Sequence, residues 1–167
     1  MESYTELANR ARQGDVQAFS GLYESCYRDL YRFALYNLGQ EEDARDVVSE
    51  TVLAAFENIG KLKSAEAFRP WIFRILVNKC KRKRRQYVLR TEELPETLHA
   101  RERDTCQEMD VRRAFLSLSG EERLIVSLSV FAGYSSSEIG KLLRKNANTV
   151  RSKLSRSMGK MQKLLED

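Results

Sequence analysis

Residues 118–165 read LSGEERLIVSLSVFAGYSSSEIGKLLRKNANTVRSKLSRSMGKMQKLL, and two capping signals in this stretch decide the fold of the C-terminal part of the chain. Ser119 with Glu122, and Ser135 with Glu138, match the S-x-x-E capping box, in which both side chains bond free backbone amides at a helix start. Helices are therefore predicted to begin near residues 120 and 136.

A last helix, capped by Asn146, is predicted over about residues 147–165. Its apolar face is expected to point inward and comprises Val150, Leu154, Met158, Met161 and Leu165. The opposite face, at 100° per residue, is small, polar and basic and comprises Asn148, Ser152, Ser155 and Gly159, with Arg151 and Arg156 beside them. A short helix, a tight turn and such a helix form a helix-turn-helix, whose second helix reads the major groove of DNA.

Periodicity alone leaves a second interpretation open, in which this last helix is merely basic and solvated. Residues 139–165 hold eight basic side chains and no acidic one. Together with the capped helix before it, this charge pattern favours nucleic-acid binding.

Three helices are predicted upstream. The first begins after Asp15, carries an apolar face that starts at Val16, and stops at Gly39. The second covers about residues 41–58 and places its acids on one stripe: Asp43, Asp46, Glu50 and Glu57. The alternative explanation is that the stripe is a solvated helix face, whose carboxylates interact favourably with the positive N-terminal end of the helix dipole. The third follows Pro70 and carries the basic run KCKRKRR, residues 79–85.

The charges fall in blocks along the chain, whose net charge is +5. Residues 41–57 hold six acidic and one basic side chain, residues 67–91 hold nine basic and no acidic, and residues 92–110 hold seven acidic and two basic. Two basic blocks separated by an acidic one predict two anion-binding surfaces. The acidic stretch contains Pro95 and has no sustained apolar stripe. We therefore predict domains at residues 1–88 and 109–167, with a linker at residues 89–108.

Composition favours an all-α fold, because 167 residues include only two prolines and eight glycines. The apolar stretches are shorter than the roughly 20 residues that span a bilayer. The N-terminal residues are polar and lack the apolar core of a secretory signal. We expect a cytoplasmic protein without direct membrane insertion.

Nothing in the sequence suggests an enzyme. The sole histidine, His99, lies in the predicted linker, and no glycine-rich phosphate loop or metal-ligand cluster is present. The three cysteines, Cys26, Cys80 and Cys106, match neither a disulfide framework nor a zinc site. No catalytic residue, metal or cofactor is predicted.

Nearly the whole chain resembles the extracytoplasmic function (ECF) sigma factors. Residues 15–59 resemble the family's first helical region, including the Gly-x-x-x-Asp-Ala motif at residues 39–44. Residues 68–85, FRPWIFRILVNKCKRKRR, are similar to its promoter-melting segment. Residues 118–165 look like its upstream-element domain, with TVRSKL at 149–154 as the most diagnostic piece.

The resemblance implies an alternative sigma factor that binds RNA polymerase core and directs promoter-specific initiation. It implies two small helical domains, the C-terminal one a helix-turn-helix. Its partners would be core polymerase, promoter DNA as duplex and as melted non-template strand, and an anti-sigma factor. The protein would be associated with the nucleoid through its binding to RNA polymerase. The alternative is a free-standing helix-turn-helix regulator that binds duplex DNA as a dimer.

The resemblance also suggests residues for each contact. The helix with the acidic stripe would dock on the polymerase through Asp43, Asp46 and Glu50. The loop GKLKSAEA, residues 60–67, and the segment after it would hold the melted strand of the downstream element through Lys61, Lys63, Ser64, Trp71, Phe73, Asn78, Lys79 and Arg82. For Trp71 a place in the core is an equally good interpretation. The last helix would read the upstream element through Asn148, Thr149, Arg151, Ser152, Ser155 and Arg156.

The chain departs from the family's pattern in the turn of the helix-turn-helix. Arg144 and Lys145 stand where the family usually has glycine and then an apolar residue, so Arg144 is expected to adopt a left-handed backbone conformation. Asn148 stands where the family often has glycine, so promoter specificity cannot be transferred from relatives.

Overall fold

The computed structural model describes residues 3–89 and 106–166, and the regular elements within these ranges are all helical. The elements are α1 (Tyr4–Arg12), α2 (Val16–Leu38), α3 (Glu41–Asn58), two 3-10 turns (Ile59–Lys61 and Ala65–Ala67), α4 (Phe68–Leu89), α5 (Cys106–Leu116), α6 (Gly120–Val130), α7 (Ser136–Leu143) and α8 (Ala147–Glu166). The all-α prediction is confirmed, with α1–α4 and α5–α8 as two domains. Among these helices none is long and apolar enough to cross a membrane.

Helix α2 begins and ends at the residues that the sequence indicates. One carboxylate oxygen of Asp15 accepts hydrogen bonds from the amides of Gln17 and Ala18, at 3.0 and 3.1 Å. Gly39 ends the helix with φ of 78°, a left-handed conformation that glycine adopts without steric cost. Val16 was expected on the apolar face, but it lies in the first turn and is largely exposed.

Helix α4 starts at Phe68, so Pro70, which the predicted helix was expected to follow, lies within its first turn. A proline fits the first turn because amides there have no partner within the helix. The loop that contains the two 3-10 turns is anchored to the core by Leu62 and Ala65, which are both buried.

Helix α1 was not predicted. Ser3 caps it, with its hydroxyl accepting from the amide of Glu6 while the Glu6 carboxylate accepts from the amide of Ser3. The helix packs on α2 and buries Ala8 and Ala11.

In the C-terminal domain, both predicted capping boxes are present. The amide of Ser119 donates to Glu122 at 2.8 Å, and the amide of Ser135 donates to Glu138 at 2.7 Å. Helices α6 and α7 therefore begin where the sequence indicates. Helix α7 ends at Arg144, which adopts the expected left-handed conformation with φ of 56° and ψ of 47°.

Helix α8 matches its predicted bounds, and Asn146 accepts a hydrogen bond from the amide of Asn148 at 2.8 Å. Val150 is buried as expected. The prediction that Met158 and Leu165 point inward was wrong, because both side chains are nearly half exposed. Ser157, one residue before Met158, occupies the buried position of that turn.

The segment predicted as a linker, residues 89–108, overlaps a helix at each end. Helix α4 extends to Leu89 and α5 begins at Cys106. Pro95 and His99 lie outside the described residues.

The two domains pack against each other. The ring of Tyr36 in α2 lies 4.7 Å from that of Phe115 and 5.7 Å from that of Phe131, centroid to centroid. The hydroxyl of Tyr134 donates to the carbonyl of Pro70. Buried residues of α6 and α7 belong to the same apolar cluster as the core of α1–α4, so this core continues from one domain into the other. A second, smaller cluster in the C-terminal domain comprises Phe115, Leu118 and Val126.

Arg69 links the domains by hydrogen bonds. Its guanidinium donates to the carboxylate of Asp29 in α2 at 2.7 Å and to the backbone carbonyl of Phe131 at 2.5 Å. The guanidinium also lies 5.4 Å from the centroid of the Phe73 ring, in a cation–π contact.

Candidate polymerase and promoter interfaces

The acidic stripe of α3 faces α4 along one edge and solvent along the other. Asp43 accepts from the Nζ of Lys83 at 2.7 Å, and its side chain is only 14% exposed. Glu50 is 49% exposed and accepts from Arg82 at 2.7 Å and from Lys79 at 3.3 Å. Asp46 is exposed. The stripe thus exists, and two of its three predicted contact residues are paired with cations of α4.

Leu53 lies in the same stripe and was missed by the sequence analysis. It follows Asp46 by seven residues and Glu50 by three, so helical geometry places it between Glu50 and Glu57. Its side chain is 60% exposed. The sequence signal that could have revealed Leu53 is the presence of an apolar residue on the polar face of an amphipathic helix. The surface is therefore acidic with an apolar centre, a composition that suits a protein partner better than a nucleic acid.

The loop between α3 and α4 presents polar groups to solvent. Lys61, Lys63 and Ser64 are all exposed. The Nζ of Lys61 donates to the amide oxygen of Asn58 at 2.7 Å, which holds it at the end of α3. The loop thus projects two cations immediately before α4.

One face of α4 continues this basic surface. Trp71, Asn78 and Arg82 recur at spacings of seven and four residues, which places them on one stripe. Asn78 and Arg82 are exposed, whereas Trp71 is half-buried with its ring 6.1 Å from that of Phe68. Lys79 is partly buried beside the stripe.

Phe73 does not belong to this surface, and its assignment to DNA is corrected. It is fully buried and makes an edge-to-face contact with Phe33, with centroids 5.9 Å apart. Its position two residues after Trp71 turns it toward α2, so Phe73 is a core residue.

The outer face of α8 is open. All six residues predicted to read the upstream element are exposed: Asn148, Thr149, Arg151, Ser152, Ser155 and Arg156. The guanidinium of Arg151 donates to the amide oxygen of Asn148, and the Nε of Arg156 donates to the carbonyl of Ser152, both at 3.3 Å. No residue of the other domain covers this face within the described ranges, since all six remain exposed in the packed arrangement.

Ion pairs hold α8 against α6. Glu121 forms ion pairs with Lys145 at 2.8 Å and with Lys153 at 2.7 Å, while Glu122 pairs with Lys160 at 2.7 Å. Hydrogen bonds from the two lysines hold the pKa of Glu121 below its usual range, and the bond from Lys160 does the same to the pKa of Glu122. These ion pairs add to the packing of α8 through its buried residue Val150.

Gly140 permits the turn between α7 and α8. A Cβ at this position would lie 2.6 Å from the carbonyl oxygen of Lys145 and 3.4 Å from the amide nitrogen of Ala147. The amide of Lys145 donates to the carbonyl of Gly140 at 2.8 Å. The turn therefore closes directly over Gly140, a contact that no spacing in the sequence reveals.

Two family models match the chain. Residues 22–88 match Sigma-70 region 2, and residues 108–161 match Sigma-70, region 4. RNA polymerase sigma factor NccH of Alcaligenes xylosoxydans xylosoxydans is 31% identical, over 96% of this chain and 93% of its own. ECF RNA polymerase sigma factor SigM of Mycobacterium tuberculosis is 30% identical, over 98% of this chain and 85% of its own. The chain belongs to the ECF sigma factors.

Solved structures of sigma factors share the fold of this sigma factor. CnrH, in complex with the cytosolic domain of CnrY, superposes with a TM-score of 0.70 at 24% identity, over 99% of this chain and 98% of CnrH. RpoE of Bartonella quintana, in complex with the anti-sigma factor NepR, superposes with a TM-score of 0.72 at 22% identity, over 90% of this chain and 98% of RpoE. The two-domain helical architecture is thus that of known sigma factors.

The buried thiols of the sigma factor are structural. Burial raises the pKa of Cys26 to about 11 and that of Cys80 to about 12. Both therefore stay protonated at neutral pH and pack as small apolar groups. Among the described residues, no group of three or more His, Cys, Asp or Glu side chains is placed to hold a metal ion.

Proposed function

We propose that this sigma factor docks on RNA polymerase core through α3, using Asp43, Asp46 and Glu50 around the apolar Leu53. The observation that carries the proposal is the exposed acidic and apolar face of α3 on one domain, together with the open basic face of α8 on the other. An exposed leucine inside an acidic stripe supports protein binding, because burying it in an interface removes apolar area from water.

In this proposal the domain within residues 1–88 also holds the downstream promoter element. Extruding a base from the stack costs a few kcal/mol, which stacking on an aromatic ring and contacts to the strand can offset. The half-buried Trp71 offers part of its ring. Cations and polar groups for the backbone come from the loop and α4: Lys61, Lys63, Ser64, Asn78, Lys79 and Arg82.

The domain within residues 109–167 then reads the upstream element as duplex, with α8 in the major groove. Small side chains, Ser152 and Ser155, let the helix approach the base edges. Arg151 and Arg156 reach phosphates or guanine, and Asn148 reaches adenine or the backbone. Thr149, at the N-terminal end of α8, would contact the DNA backbone.

The partners and location follow from the same role. An anti-sigma factor is proposed as the inhibitor, supported by the two solved relatives, whose structures are complexes with CnrY and with the anti-sigma factor NepR. The sigma factor would act in the cytoplasm, at the nucleoid through the polymerase. It would have no catalytic activity of its own, because initiation chemistry belongs to the polymerase.

Transcription by purified components tests the proposal. Core polymerase with the chain should initiate at defined positions on a library of randomised promoter fragments, whereas core alone should not. Asp46→Lys should abolish association with core while circular dichroism stays unchanged. Normal association of that variant would remove α3 from the interface. A chain that shifts specific duplex DNA as a dimer, and never binds core, would instead be a free-standing regulator.

A further inference from the structure

The two surfaces proposed for polymerase and for DNA are bound to each other in the free protein. Glu50, proposed to contact polymerase, accepts hydrogen bonds from Arg82 and Lys79, both proposed to contact DNA. Asp43 pairs in the same way with Lys83, at 2.7 Å. These pairs connect residues 29 to 40 positions apart along the sequence, so they exist only because α3 and α4 pack together.

We propose that these ion pairs couple polymerase binding to promoter binding by exchange. In the free chain, the carboxylates of α3 form ion pairs with the cations of α4. They therefore compete with DNA phosphates for these cations. When polymerase binds Glu50, it releases Lys79 and Arg82 toward the DNA. The inference rests on the proposed function, because it takes the partner of each surface from there.

The exposure of the Glu50–Arg82 pair fits an exchangeable contact. The side chain of Glu50 is about half exposed and that of Arg82 is 62% exposed, so a partner can reach both without unfolding the domain. Exposed ion pairs are weak, which allows them to break when a partner offers a better contact. Because coupling between two binding events is reciprocal, DNA bound to α4 must also free the carboxylates for polymerase.

The first test needs no polymerase and uses a fluorescein-labelled single-stranded oligodeoxynucleotide of mixed sequence with the full-length chain. Glu50→Gln should bind it about threefold to tenfold more tightly than Glu42→Gln does, because only the former releases Arg82 and Lys79. Glu42 is an exposed acid of the same helix, so its variant matches the change in net charge. The salt dependence of Glu50→Gln should steepen by about 0.7 to 1.4, which corresponds to one or two new phosphate contacts.

The second test measures the reverse effect, with core polymerase titrated against labelled chain in the absence of DNA. Arg82→Gln should bind core about twofold to fivefold more tightly than wild type, although it removes a DNA contact. Arg85→Gln loses the same charge from an exposed position farther along α4 and should leave core affinity within about twofold.

The outcomes separate the inference from the proposed function. Equal oligonucleotide binding by Glu50→Gln and Glu42→Gln would overturn the coupling alone, as would equal core binding by Arg82→Gln and Arg85→Gln. A wild-type chain that does not bind core polymerase would overturn the proposed function and the coupling with it.

Discussion

The Nζ of Lys153 in α8 lies 2.7 Å from a carboxylate oxygen of Glu121 in α6. The other oxygen of that carboxylate lies 2.8 Å from the Nζ of Lys145, in the turn before α8. One side chain of α6, the helix that precedes the helix-turn-helix, thus pairs with both the turn and α8. Both ion pairs require the Glu121 carboxylate to be charged.

Acid should therefore loosen the C-terminal domain. The pKa values of Glu121 and Glu122 lie below the ordinary value in the folded state. Their contribution to the free energy of unfolding is complete above the ordinary value of about 4.3 and is lost as pH falls through the lowered values. Melting temperatures measured from pH 7 to pH 3 should fall less steeply for Glu121→Gln than for wild type. If the control Glu57→Gln flattens the curve equally, the lysine pairs are not the cause.

Replacing Arg151 and Arg156 by alanine should weaken duplex binding in a salt-dependent way. Each arginine that contacts a phosphate contributes about 0.9 to the slope of log affinity against log salt. The double variant should lower that slope by up to about 1.8. Lys163→Ala, near the exposed end of α8, serves as the control and should change the slope little. An unaltered slope in the double variant would mean that these arginines do not touch phosphates.

Gly140→Ala should disrupt the turn before α8. The added Cβ would lie 2.6 Å from the carbonyl oxygen of Lys145, which belongs to the backbone and cannot swing away. We expect the free energy of unfolding to fall by about 1–3 kcal/mol, as for other overpacked sites, and duplex binding to be lost. Gly159→Ala is the matched control, because nothing lies within 4 Å of its Cβ. This control should gain about 0.5–1 kcal/mol in a urea titration. Equal stability of the two variants would contradict the close contact.

Arg144→Gly should stabilise the protein. Arg144 holds φ of 56°, a left-handed conformation that costs a residue with a Cβ about 1–2 kcal/mol. After the entropy cost of glycine, the free energy of unfolding should rise by about 0.5–1 kcal/mol. The melting temperature measures this gain, with Arg144→Ala as the control that loses the charge but keeps the strain. Equal gains in both variants would point to charge repulsion with neighbouring cations.

Local signals predicted the helices to which the function is assigned by proposal, α3, α4 and α8, whereas contacts between residues distant in sequence were visible only in the structure. The S-x-x-E boxes at Ser119 and Ser135 fixed two helix starts, since capping depends on residues three apart. The same signal at Ser3 and Glu6 was present in the sequence and overlooked, so α1 was missed. Asp43 and Lys83 meet across 40 positions, and no periodicity predicts such a pair. Phe73 was misassigned because its aromatic character suits both a core and a stacking surface, and only burial separates the two.

The shared core of the domains bears on how the free protein melts. Tyr36 of the N-terminal domain contacts the rings of Phe115 and Phe131 in the C-terminal domain, so loosening the helices of either domain withdraws support from the other. Calorimetry of the unbound chain should then record a single endotherm whose van't Hoff and calorimetric enthalpies agree. A defect in the helix-turn-helix would in that way lower the heat resistance of the domain formed by α1–α4 as well.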